Sequence, residues 1–191
     1  MIAFDLAWAH TAEELQAALN SLLPLSVSAR SAQPVQVDFH PRYNACARSY
    51  GYSLFCQEVR HPLRERYAWR VWPAVDLDRM SLAARALLGK HDFAAFGTPP
   101  RAEGSTVRTI FDACWIESRS LWGDSELVFQ VSGDAFLYRM VRRLVSIQVE
   151  IGQGRLEPEK VSDLLNNPPQ NPVQGLAPPN GLVLVSVSYP V

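Results

Sequence analysis

The chain has 191 residues, 48% of them hydrophobic and 19% charged, which suits one or at most two globular units with a packed core and excludes a disordered or fibrous chain. A formal net charge of −1 gives no global attraction to nucleic acid, so any such binding must rest on a local cluster. Three cysteines, Cys46, Cys56 and Cys114, are too few and too scattered for a disulfide framework or a zinc site, and they read as buried thiols in a reducing compartment.

In chain order, Met1 to Leu6 reads as a strand that begins with no turn or cap ahead of it, as though a segment were missing upstream. Thr11 and Glu14 form a capping box, and Leu15, Ala18, Leu19, Leu22 and Leu23 give an amphipathic helix that Pro24 stops. Val27 to Val35 looks like another strand. No segment approaches the ~18 consecutive apolar residues of a membrane span, and the N-terminus lacks the basic start and apolar run of a signal peptide. A cytoplasmic protein with no membrane partner is therefore expected.

From Ala45 to Cys56 the alternation is clean: Arg48, Tyr50, Tyr52 and Leu54 point one way, Ala47, Ser49, Gly51 and Ser53 the other. The small face would let a helix or another backbone approach closely. The large face reads either as a platform on which a base could stack or as half of an ordinary strand with amphipathic tyrosines. Asp76 to Leu88 is a helix with Met80, Ala83, Ala84, Leu87 and Leu88 inward and Gly89 at its end. The following loop contains His91-Asp92-Phe93. A His-Asp pair suggests a metal phosphohydrolase only if further ligands converge on it, and the chain has four histidines. No metal is expected.

The loop Gly97 to Val107 is rich in Pro, Gly and Ser, and Arg108 stands at its end. Strands Arg108 to Ile116 and Glu126 to Ser132 follow, around a turn at Trp122-Gly123-Asp124. After the second of these, Phe136, Leu137, Met140, Val141, Leu144, Val145, Ile147 and Ile151 recur at helical spacing, with Asp134 as N-cap and Gly152 as stop. At ~100° per residue, Arg139, Arg143, Ser146 and Glu150 share the opposite face, and Arg142 falls at the border. A border arginine can lay its stem on the core and hold its guanidinium over a cleft, or belong to a solvated face. Pro158 opens a short helix through Leu165, and a Pro-rich segment, Pro168 to Pro179, leads to a last strand, Leu182 to Tyr189.

Read from Ala45, the order strand, helix, strand, strand, helix, strand is ferredoxin-like: an α+β fold with an antiparallel sheet covered on one face by helices. Fold alone does not give function.

Six motifs, Phe39-His40-Pro41-Arg42, Ala47-Arg48-Ser49-Tyr50-Gly51-Tyr52, Gly89-Lys90-His91-Asp92-Phe93, Val107-Arg108-Thr109-Ile110, Ala135-Phe136-Leu137 with Met140-Val141-Arg142, and Gly181-Leu182-Val183-Leu184, resemble in order those of the tRNA pseudouridine synthase A family. The resemblance spans essentially the whole chain. It implies isomerisation of uridines 38, 39 and 40 in the tRNA anticodon stem-loop by a homodimer with no cofactor and no metal. It also implies that Tyr50 packs against the flipped base, that Arg142 pairs with the catalytic aspartate, and that Leu182 lies in the apolar wall near the site. Arg42, Arg48 and Arg108 fall in family motifs as well and are assigned to backbone or site contacts.

The family's Gly-Arg-Thr-Asp-Ala-Gly motif, which carries the aspartate, is absent from this sequence. Residues 1 to 36 are thus read as the remnant of an N-terminal ferredoxin-like domain and 37 to 191 as the C-terminal one, a fragment expected to be inactive alone. Gly51 and Ser146 are smaller departures. A non-catalytic RNA-binding module on the same fold, and a small-molecule enzyme using His91 and Asp92, are the competing readings.

Overall fold

The computed structural model describes all residues except Ala102, Leu121, Trp122 and Val191, so the expected turn at Trp122 lies partly outside the described residues. The chain divides into two compact units, Met1–Ala45 and Cys46–Val191.

In the first unit, helix α1 (Ala12–Leu22) starts on the expected capping box: Thr11 accepts from the Glu14 N–H, and the Glu14 carboxylate takes the Thr11 N–H. The strands expected at Met1 to Leu6 and Val27 to Val35 do not form. A strand needs a ladder partner, and the stretch from 27 to 35 is tied instead to α1 by side chains: Asn20 exchanges two hydrogen bonds with Ala29, and Gln16 donates to the Ala29 and Arg30 carbonyls.

The second unit holds, among the described residues, six strands and three further α-helices: β1 (Ala47–Cys56), β2 (Trp69–Val71), α2 (Leu77–Arg85), β3 (Gly89–Asp92), β4 (Val107–Arg119), β5 (Ser125–Gly133), α3 (Met140–Gly152), α4 (Lys160–Asn166) and β6 (Leu182–Ser188). The sheet runs β2-β1-β5-β4-β3, with β6 also on β1. β6 lies antiparallel along Ala47 to Tyr52, and the short parallel β2 pairs with Leu54 to Cys56, so both share one edge of β1. Leaving out β2 and β3, the order β6-β1-β5-β4 is the ferredoxin-like arrangement that the order of elements predicts.

The core lies between this sheet and the helices. Tyr52 and Leu54 of β1, Ala113 and Trp115 of β4, and Leu127, Phe129 and Val131 of β5 face Met80, Ala83 and Ala84 of α2 and Met140, Leu144, Val145 and Ile151 of α3. This corrects the reading of β1: the helices cover its large face, and Tyr52 and Leu54 are fully buried. The small residues stand on the other face, where Gly51 neighbours Val128 and Val185. Apolar bulk outweighs close approach here, because two tyrosines and a leucine bury far more surface than Ala, Ser and Gly.

α3 begins later than expected. Asp134 does not cap it: one carboxylate oxygen accepts from the N–H groups of Thr109 and Ala135, and its own N–H donates to the Thr109 carbonyl. Tyr138 then bridges to Thr98. The backbone N–H groups of Asp134 and Tyr138 are thus taken by Thr109 and Thr98, and Arg139, at φ 63°, turns the chain into the helix. That bridge requires Gly97, where a Cβ would lie 2.5 Å from the Leu137 Cβ. α3 ends at Gly152 as expected, and this glycine also lets α2 approach, since a Cβ there would meet Met80 at 2.8 Å.

Two other expectations change. His91 and Asp92 belong to β3 rather than a loop: an edge strand this short gives too brief an alternation to recognise. Cys46 and Cys56 are exposed and Cys114 partly exposed, not buried, because they sit at the ends of β1 and on the open face of β4.

One buried polar pair joins the layers: the Trp115 indole donates to Gln148 Oε1 at 2.7 Å, and Gln148 Nε2 donates to the Leu144 carbonyl at 2.8 Å. Gln148→Leu should cost about 1–3 kcal/mol by leaving the indole N–H buried and unpaired. Adding Trp115→Phe should lose less than the sum of the two single effects in urea titrations; strict additivity would show that the pair contributes nothing.

Candidate active site

Tyr50 lies two residues before Tyr52 on the same face of β1, opposite Val131 of β5 and Leu184 of β6. It is half-buried, and its ring meets Phe136 edge-on with centroids 5.0 Å apart. Tyr52 is enclosed by the core, and its hydroxyl donates to the Pro178 carbonyl at 2.7 Å. Arg142, in the first turn of α3, donates from Nε to the Ala177 carbonyl at 2.6 Å, while the Ala177 N–H returns a bond to the Arg142 carbonyl. Neighbouring peptides of one segment are therefore held from the sheet by a tyrosine and from the helix by an arginine.

That segment enters β6 at once. Asn180 donates to the carbonyls of Glu65 and Ala68. Gly181 lies so close to β1 that a Cβ would come 2.5 Å from the Ser53 carbonyl oxygen and 2.9 Å from the Tyr52 ring. Leu182 follows in register with Tyr52 and packs against the core. The sheet and α3 thus bring Tyr50, Arg142 and Leu182 to the same side of the sheet. Among the described residues Arg142 makes no ion pair with a carboxylate.

The other sequence candidates make different contacts. Arg48 donates from Nη1 to the Asp134 carbonyl at 2.6 Å, tying β1 to the segment before α3. Arg108 donates to the Ser105 and Val107 carbonyls and so anchors the end of the long loop. Arg42 belongs to the first unit, in a turn where its N–H donates to the His40 ring. His91 contacts the Leu88 carbonyl at 2.7 Å, and Asp92 accepts from the Ala94 N–H. Both serve the local backbone, and among the described residues no three metal-ligating side chains come together.

Sequence reasoning missed the roles of Tyr52, Asn180 and the Ala177–Pro178 carbonyls. The only available signal was the even spacing of Tyr52 and Leu54 on a face too large to be left in water.

The fold and this half-open site define an α+β protein built on a ferredoxin-like sheet, with an arginine and a tyrosine set on its helix-covered side. Residues 83–190 match the family model described as tRNA pseudouridine synthase. Among curated relatives, the tRNA pseudouridine synthase A of Geobacter sp. (strain M21) is 37% identical over 173 residues, which is 90% of this chain and 68% of the relative. That of Methylacidiphilum infernorum (isolate V4) is 38% identical over 179 residues, 93% of this chain and 68% of the relative. That of Limosilactobacillus fermentum (strain NBRC 3956 / LMG 18251) is 34% identical over 186 residues, 97% of this chain and 71% of the relative. The chain belongs to the tRNA pseudouridine synthase family.

Burial raises the Tyr52 pKa well above its ordinary value of 10.0, and the Arg142 charge offsets only part of this. Above pH 10 the unfolded chain releases this proton while the folded chain keeps it, so the unfolded state binds fewer protons and stability falls as pH rises. Tyr52→Phe should lose about 1 kcal/mol at neutral pH by unpairing the Pro178 carbonyl. It should also flatten the decline above pH 10 in denaturant midpoints measured from pH 7 to 11. An equally steep decline in the variant would show that other groups cause it.

Proposed function

We propose that this chain carries the base-holding and arginine half of a tRNA pseudouridine synthase site, acting on uridines 38, 39 and 40 of the anticodon stem-loop. The observation that carries this reading is Arg142: Nε is committed to Ala177, and no carboxylate among the described residues pairs with the guanidinium. A fixed but unmatched arginine on the side of the sheet that holds a half-exposed tyrosine suits a site whose acid comes from another segment.

In that reaction the C1′–N1 bond of uridine breaks, the uracil turns, a C5–C1′ bond forms, the C5 proton leaves and N1 takes up a proton. The base must first leave its stack at a cost of a few kcal/mol, and the Tyr50 ring recovers part of it by packing against the flipped base. Arg142 keeps the aspartate ionised and aimed at the sugar. Leu182 supplies apolar wall, and Arg42, Arg48 and Arg108 contact the site or the RNA backbone. Neither a cofactor nor a metal takes part in this scheme.

We read residues 1–36 as the tail of an N-terminal ferredoxin-like domain and 37–191 as the C-terminal one, in a cytoplasmic homodimer. Val183, Leu184 and Val185 of β6 are all exposed, which supports association through that edge. Because these 191 residues contain no Gly-Arg-Thr-Asp-Ala-Gly motif, the chain alone should form no pseudouridine.

Assaying pseudouridine in tRNA with the chain alone, and with the aspartate-bearing segment supplied upstream in the same reading frame, tests this. Activity should appear only with the segment. In the extended enzyme Arg142→Lys should then lower kcat by about 10²-fold, since a lysine cannot reproduce the guanidinium fork and its aim. Full turnover by the 191 residues would show that another carboxylate does the chemistry.

A further inference from the structure

Three arginines gather where α3 begins. The Arg143 N–H donates to the Arg139 carbonyl at 3.1 Å, so these two stand one turn apart at the start of α3 with Arg142 between them. The Arg139 guanidinium lies 4.8 Å from the centre of the Tyr138 ring, and Tyr138 is 61% exposed. Arg143 is half-buried, and its Nη1 is sealed from solvent with no hydrogen-bond partner. Burial first, then the charges of Arg139 and Arg142, hold the Arg143 pKa below the ordinary arginine value. Among the described residues no ion pair reaches any of the three, and Glu150 of α3 is taken by Arg155 at 2.7 Å.

We propose that Tyr138, Arg139 and Arg143 form an RNA-docking patch, in which the two arginines seat a backbone phosphate and the tyrosine ring stacks on an unpaired base. Like charges one helical turn apart repel, and partial burial removes water that would screen them. A phosphate bridging Arg139 and Arg143 relieves both costs, and the guanidinium fork matches its oxygens. The exposed tyrosine beside them distinguishes RNA from a simple anion, because a single-stranded loop offers a base face next to each phosphate. Arg142 keeps its separate place against Ala177.

The patch rests on the tRNA reading, deepening it by locating where the stem-loop docks. Its test is fluorescence anisotropy of labelled tRNA, and of labelled duplex DNA, over a range of salt concentrations, with the whole chain. The variants are Arg139→Gln, Arg143→Gln, Arg143→Lys and Tyr138→Ala, with Arg85→Gln on the exposed side of α2 as control. Circular dichroism melting identifies any variant that fails to fold, and Arg143→Lys keeps the charge should Arg143→Gln fail.

Each glutamine variant should weaken tRNA binding and reduce the slope of log affinity against log salt by about one. Arg143→Lys should keep the slope. Tyr138→Ala should weaken binding about tenfold with the slope unchanged, and Arg85→Gln should match the parent. A parent that binds tRNA while folded Arg139 and Arg143 variants match it overturns the patch and leaves the tRNA reading intact. Equal parental affinity for duplex DNA and tRNA, lost together in the variants, keeps the phosphate seat and removes the tRNA reading. No binding to either nucleic acid at low salt overturns the patch.

Discussion

Two adjacent carbonyls, those of Ala177 and Pro178, determine how the site is built. Arg142 bonds to one at 2.6 Å and Tyr52 to the other at 2.7 Å, so α3 and β1 grip the same short segment from two sides. A hydrogen bond from a charged donor contributes about 1.5–3 kcal/mol, and one from a neutral donor about 1 kcal/mol. The consequence for geometry is larger than these energies suggest. With the segment pinned, Asn180 reaches the Glu65 and Ala68 carbonyls and Gly181 can lie against Tyr52. β6 then enters the sheet with Leu182 opposite Tyr52.

The same grip decides what Arg142 can do. An arginine whose Nε is committed keeps its terminal nitrogens for a carboxylate but loses the freedom to swing toward it. Positioning is therefore done before any partner arrives. Tyr50, two residues from the tyrosine that holds the segment, inherits a fixed distance from it through the strand.

Much of this was legible in the sequence, for identifiable reasons. β1, β4, β5, α2 and most of α3 declare themselves by period, because each buries one face over nine or more residues. The short β2 and β3 do not, since three or four residues carry too little alternation. The start of α3 was misread because Phe136 and Leu137 continue the apolar spacing while the backbone on either side of them, at Asp134 and Tyr138, bonds to Thr109 and Thr98. Asp134 looks like a cap in sequence, yet the N–H it satisfies across the sheet is that of Thr109, 25 residues earlier. No local pattern contains that distance. The sequence also exposed the two faces of β1 without telling which one the helices cover, and the bulk of Tyr52 and Leu54 decides that. Family motifs mark Tyr50, Arg142 and Leu182 as candidates, whereas the carbonyls that hold Arg142 in place have no side-chain signature at all.

The fate of the buried or half-buried arginines separates structural from functional charge. Arg64 is only 5% exposed, yet its guanidinium covers the Phe55 ring at 4.0 Å, donates to the Ser125 carbonyl and lies 3.5 Å from Asp124. Arg79 donates to the Ile151 and Leu156 carbonyls and to Glu157, closing the C-terminal end of α3. Each meets desolvation with a carbonyl and a carboxylate, as a charge kept for architecture must, although the Arg64 Nε itself is buried without a partner. Arg142 has a carbonyl but no acid, and Arg143 has a sealed nitrogen with neither. Folding alone would select against such an arrangement, because a hydrophobic residue of similar size would be cheaper to enclose. Buried unpartnered nitrogens also occur at Arg64 and Arg108. What sets the start of α3 apart is that two arginines with no ion pair among the described residues, Arg142 and Arg143, stand side by side there, and under the docking proposal an anion from outside completes the electrostatics of the turn that places Arg142 against Ala177.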